Sequence, residues 1–301
     1  MPFRRSFDFI GDGEHLVSTP INFTVGSFRA TSLGDIVHLG TGQIVEQIPI
    51  PDGVDQIPLP RDMTSTRLHV HGILASEDSE YVTSHFSVNL FTTFVCVYDR
   101  KNRNIVHQFS VNERSARFSE VMSFHSKSGI AIVYNLSGRR DGDSPPVYIY
   151  DLGSGALRAL LAGNRPSISA IAWSADGALL ATAGDMKQET PINGAPFQEE
   201  DAVWIWDVAS SRVVRKLQAL RHSIWCMAFS HNGDFLAAVH GRPDGRLGRV
   251  LVVWNLRNGA MTVVKETSGE VGIEDVRWVA ERNALTYVDG KGVFLVDGFV
   301  V

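Results

Sequence analysis

Short apolar runs that close on an aromatic residue and an Asp or Asn recur along the chain. They read Val95-Cys96-Val97-Tyr98-Asp99, Val147-Tyr148-Ile149-Tyr150-Asp151, Val203-Trp204-Ile205-Trp206-Asp207 and Leu251-Val252-Val253-Trp254-Asn255. Degenerate copies stand at Ile36-Val37-His38-Leu39 and Val293-Phe294-Leu295-Val296-Asp297. Two further runs precede the better copies. One ends on an aromatic and a polar tight turn, as in Ala172-Trp173-Ser174-Ala175-Asp176-Gly177 and Ala228-Phe229-Ser230-His231-Asn232-Gly233, and the next resumes at once at Ala178 or Asp234. Asp-Gly and Asn-Gly between apolar runs predict hairpins, because glycine accepts the positive φ that such turns need. A fourth run follows the aromatic-Asp element, as in Ala260-Met261-Thr262-Val263-Val264. The repeating unit is therefore four short strands rich in Val, Ile and aromatics, with no stretch of helical periodicity.

Six such units fit at 1–50, 61–113, 114–163, 164–219, 220–267 and 268–301. Antiparallel four-strand units in series predict an all-β fold, a β-propeller of six or possibly seven blades forming a single domain over 1–301. The last unit is short. Either Gly298 to Val301 supply its fourth strand or the N-terminal run Phe3 to Phe9 closes it, since an open ring leaves an unpaired sheet edge.

These motifs resemble the WD-repeat (WD40-like) propellers, most clearly from Ser167 to Glu266, where Trp206-Asp207 ends a third strand. Arg221-His222-Ser223-Ile224-Trp225 is similar to that family's Gly-His dipeptide ahead of a first strand. The resemblance implies scaffold roles for Tyr98, Tyr150, Trp206 and Trp254, packed between blades, and for Asp99, Asp151, Asp207 and Asn255, fixing the next turn. It also implies a hydrogen-bonded set of Trp, strand hydroxyl, His and Asp in each blade. This chain departs from that set: unit five has His222 and Trp254 but Ala237 and Ala238 at the hydroxyl position, while unit four has Thr182 and Trp206 but Asn164-Arg165 in place of Gly-His. It reads as a divergent member whose blades rest mainly on apolar packing.

Composition narrows the function. With 28 Lys+Arg against 33 Asp+Glu the net charge is −5, which argues against a nucleic-acid binder. No run of about 18 apolar residues predicts a membrane span. Cys96 and Cys226 lie in apolar runs and read as inert core thiols, and the start of the chain lacks the apolar segment of a secretory signal, so a cytoplasmic protein is expected. Phosphate-cradling, zinc-protease and nucleophile-elbow motifs are absent, and neither catalysis nor a cofactor is expected.

The connection between second and third strands is long in three consecutive units, spanning Ser137–Pro146, Asp185–Asp201 and Gly241–Arg249. Propeller topology gathers all three on one face, and long loops on a rigid scaffold are where binding residues accumulate. Met186 and Phe197 are candidate apolar anchors there. Arg139, Arg140, Arg242, Arg246 and Arg249, with Glu199 and Glu200, are candidates for charge pairing with a partner. The expected activity is a non-enzymatic interaction scaffold for a protein or peptide, a monomeric propeller within a complex. The competing expectation is a metal-dependent hydrolase or lyase at the central channel: His69 and His71, two apart on a first strand, would point from one face, with His85 as a third ligand.

Overall fold

The computed structural model describes residues 7–10, 14–18, 32–52, 68–76, 80–88, 92–111, 118–136, 146–152, 154–163, 168–184, 202–219, 223–241, 248–269, 272–279 and 284–299. Among these there is no helix, and the strands form six small antiparallel sheets. Blade one holds β1 (Phe7–Phe9), β2 (His15–Ser18), β3 (Gly34–His38) and β4 (Ile44–Ile48). Blade two holds β5 (Leu68–Ala75), β6 (Tyr81–Val88), β7 (Thr92–Asp99) and β8 (Asn104–Val111); blade three holds β9 (Phe118–His125), β10 (Gly129–Leu136), β11 (Val147–Tyr150) and β12 (Leu157–Leu161). Blade four comprises β13 (Ile168–Trp173), β14 (Leu179–Gly184), β15 (Ala202–Asp207) and β16 (Arg212–Gln218). Blade five comprises β17 (Ile224–Phe229), β18 (Phe235–Gly241), β19 (Arg249–Asn255) and β20 (Met261–Glu266); blade six has β21 (Asp275–Val279), β22 (Ala284–Asp289) and β23 (Gly292–Val296). The fold is a six-bladed β-propeller, and every described strand lies inside one of the six units read from the sequence.

Of the residues in the two expected ring closures, Phe3 to Ser6, Val300 and Val301 lie outside the described residues. Phe7–Phe9 pairs with β2 as the innermost strand of blade one. Phe299 leaves the line of β23 and packs against Phe235 and Trp278, with ring centroids 5.9 and 5.1 Å away, so it fills a gap between blades five and six.

The core consists of layers between adjacent blades. Apolar clusters join blades one and two, two and three, three and four, four and five, and five and six. This explains why the third-strand runs are continuously apolar: both faces are buried, and alternate residues enter different layers. On β19, Val250, Val252 and Trp254 face blade four while Leu251 and Val253 face blade six. Among the described residues no apolar cluster joins blades six and one. The contact described across that joint is polar. Asp8 Oδ1 on β1 accepts from the Arg277 guanidinium on β21, and Asp8 Oδ2 accepts from the Ala75 amide on β5 at 3.1 Å. One buried carboxylate thus touches the first strands of blades six and two.

The third-strand aromatics lean on the preceding blade. The Tyr98 hydroxyl donates to Glu46 on β4, Tyr150 packs on Phe109 of β8 at 4.9 Å, and Trp254 Nε1 donates to the Gln218 carbonyl of β16 at 3.1 Å. Trp206 Nε1 donates to Thr182 Oγ1 at 2.9 Å, within its own blade. Where Ala237 and Ala238 remove the hydroxyl, a neighbouring blade's main-chain carbonyl satisfies the buried indole instead, which motif reading does not detect. The residue after each aromatic caps the following turn. Asp99, Asp151, Asp207 and Asn255 each accept a main-chain N–H two or three residues on, at 2.7 to 2.9 Å.

Candidate protein-binding face

Antiparallel registers put the start of each first strand, the second-to-third connection and the exit of the fourth strand at one end of a blade. In blade five, Ile224 pairs with His240, Gly241 with Arg249, and Val250 with Glu266. The strands flanking the three long connections, β10 and β11, β14 and β15, β18 and β19, share this end.

The first strands of three blades carry a β-bulge near this end, between Val70 and Gly72, Ile168 and Ala170, and Ile224 and Cys226. The extra residues are His71, Ser169 and Trp225. A bulge re-aims the side chain it carries and breaks the two-residue alternation of a strand. In blade five this leaves the Trp225 side chain 38% exposed at the start of an otherwise buried strand. Arg249, the first residue of β19, lays its guanidinium over the Trp225 ring at 4.4 Å and donates through Nη1 to the Ile273 carbonyl at 2.5 Å. Gly272 makes room for this stem, because a Cβ there would lie 2.9 Å from Arg249 Cδ. Burial pulls the Arg249 pKa down, while Cys226 and Glu274 oppose the shift. An arginine remains a cation at neutral pH despite it. The result is an exposed indole under a half-buried guanidinium, each held on a strand.

The sequence candidates fare unequally. Arg139, Arg140, Met186, Phe197, Glu199, Glu200, Arg242, Arg246 and His222 lie outside the described residues. Arg249 is described, and its guanidinium is engaged with Trp225 and Ile273. The backbones of His69 and His71 belong to β5, with the bulge falling at His71, so strict alternation does not carry through that position. Their side chains are outside the described set. His85 is buried on β6, a second strand, opposite Gly72, and not on the innermost strand. Among the described residues no three His, Cys, Asp or Glu side chains gather as metal ligands. Sequence reading missed Trp225, because an aromatic in a first-strand run reads as core until the bulge is seen. Its one sequence signal is a bulky residue directly before Cys226, where unit four has Ser169 before Ala170.

Comparison with known proteins agrees with this architecture. The WD domain, G-beta repeat family matches residues 155–187 and 212–255. Each match begins on or beside the outer strand of one blade and runs into the next; the first stops soon after Gly184, where the long connection of blade four begins. The chain is also similar to a protein transport protein SEC31 of Mycosarcoma maydis, 23% identical over 185 residues. That alignment takes in 52% of this chain and 12% of the relative's length. Six propeller blades and two matched repeats support a WD-repeat β-propeller of divergent sequence. Propellers of this class typically bind protein partners. Among the described residues no helix is long and apolar enough to cross a membrane.

Proposed function

We propose that this chain is a non-enzymatic, cytoplasmic interaction scaffold that binds a protein or peptide through the loop-bearing face of blades three to five. The observation that carries the reading is the Trp225–Arg249 pair, an exposed indole and a guanidinium held at the margin of the Arg242–Leu247 connection. Aromatic and Arg side chains dominate the energy of most protein interfaces, and rigid anchors lose little entropy on binding. Met186 and Phe197 would add apolar anchors beside it, and Arg139, Arg140, Arg242, Arg246, Glu199 and Glu200 would set register through charge. The likeness to a protein transport protein makes transport assemblies the first place to seek the partner.

The test compares affinity for a captured partner among wild type, Trp225→Ala, Phe197→Ala and a variant with Met186–Gln198 replaced by Gly-Gly, each first shown to melt like wild type. Loss of a buried interface anchor costs about 2 kcal/mol or more, so Trp225→Ala and the shortened loop should each weaken binding by about thirtyfold. Unchanged affinity in both would move the binding site to another face.

A further inference from the structure

Among the described residues blade six has three strands, and its outer strand β23 is unlike the other outer strands. Among the described residues nothing pairs with the outer side of β23, and Val293, Phe294 and Leu295 are 72, 36 and 50% exposed. Every other outer strand carries polar side chains: Glu46 and Gln47 on β4, His107 and Gln108 on β8, Arg158 on β12, Arg215 and Lys216 on β16, Lys265 and Glu266 on β20. β23, Gly-Val-Phe-Leu-Val, carries none. Edge strands are usually protected by charge, proline or a bulge, and an unprotected one is a template for a further strand.

The backbone shows which groups are on offer. The Val288 carbonyl accepts from the Glu274 amide on the inner side of blade six, at 2.7 Å, so Val288 and its partner Val293 form a non-hydrogen-bonded pair. Alternation then turns the N–H and C=O of Val293 and Leu295 outward, away from β22. An antiparallel strand that satisfies them must set its own outward residues opposite these. β23 itself meets that requirement in the register that places Phe294 opposite its own copy, where Val293 faces Leu295 twice and four hydrogen bonds form. Registers shifted by two residues satisfy the same parity. The flanking charges choose between them: only the Phe294-centred register sets exposed Lys291 of one copy against exposed Asp297 of the other, at both ends.

We propose that β23 is the contact through which two copies of this chain pair, edge to edge and antiparallel, about a twofold axis at Phe294. The contact is isologous, so it closes at two copies and shields the apolar strand. It departs from the monomeric propeller expected from the sequence. It also leaves the loop-bearing face free, so it is independent of the proposed partner site.

Light scattering across a dilution series of the 301-residue chain reads the outcome. Wild type should approach twice its 33.1 kDa mass at high concentration. Lys291→Asp and Asp297→Lys each create two like-charge contacts per dimer and should raise its dissociation constant by about tenfold. The double variant Lys291→Asp/Asp297→Lys exchanges the charges and should return to within about threefold of wild type. Leu295→Arg places a charge on the edge and should give a monomer that melts with the wild type, because this side chain is half exposed. A monomer at every concentration would overturn the proposal and leave the edge to a strand of another protein. A dimer indifferent to charge reversal, or a double variant as weak as the singles, would overturn it equally.

Discussion

Replacing Asp8 with alanine tests the polar joint between blades six and one. The Asp8 side chain is 7% exposed and accepts from the Ala75 amide at 3.1 Å and from the Arg277 guanidinium. Leaving the Ala75 N–H without its acceptor costs about 1–3 kcal/mol. The lost charge-assisted bond to Arg277 would cost a similar amount if that side chain were buried. Arg277 is 42% exposed and keeps Asp275 at 3.2 Å, so solvent screening and the second carboxylate reduce this part to about 1 kcal/mol. Burial works against the charge on Arg277, yet the Asp8 and Asp275 carboxylates more than offset it and hold its pKa above the ordinary value. Together the loss is about 3 kcal/mol. A chain of this length gains entropy on unfolding steeply enough that this lowers the melting midpoint by about 5 °C. Calorimetry or far-ultraviolet dichroism reads the shift. Asp8→Asn, which keeps an acceptor for Ala75, should lose about half as much, and Asp275→Asn less than about 1 °C. An Asp8→Ala midpoint within about 1 °C of wild type would refute the reasoning, and with it the idea that this joint depends on a buried carboxylate.

Two further predictions concern the turns. Gly177 and Gly233 occupy the same place in successive hairpins, at φ +68° and +73°, but a Cβ at Gly177 would lie 1.8 Å from Ser128 Oγ of blade three while one at Gly233 meets open space. Gly233→Ala should therefore cost about 1 kcal/mol for its backbone alone, and Gly177→Ala about 3 kcal/mol or more; equal losses in a denaturant titration would contradict the close approach of blades three and four. Hydrogen bonds from Asn102 to Asp99, from Ser174 and Ala178 to Asp176, and from Ser210 to Asp207 hold these three carboxyls below their ordinary pKa of 3.8. The unfolded chain then binds protons first, so their stabilisation is complete above about pH 4 and is lost as pH falls through the lower folded values. Thermal melts on acidification should show this loss, with a shallower slope in Asp207→Asn; an unchanged slope would mean that the turn bonds are not made in solution.

The propeller is legible in the sequence where a strand is buried on both faces, because the run is then continuous and its closing aromatic marks the register. β15 and β19 satisfy that condition, and the Ser-x-Asp/Asn-Gly turns before them fix the hairpins. Blade one is obscure for the opposite reason: β1 is three residues long and β2 four, too short for any periodicity. The acceptor for Trp254 is a main-chain carbonyl, which has no residue signature, so the apparent loss of the blade's hydrogen bonding was partly illusory. Trp225 escaped because a bulge, which one sequence does not announce, turns an interior pattern outward. The course of Phe299 toward Trp278 has no sequence signature, because it depends on packing alone.

The joint at Asp8 also orders events in time. Most contacts within a blade link strands close in sequence and form quickly, whereas Asp8 and Arg277 are 269 residues apart. Their bond can form only after the intervening blades have brought both strands round, so it belongs to the native side of the folding barrier. Asp8→Ala should then leave the refolding rate as it is and raise the unfolding rate by nearly the whole of its effect on the equilibrium.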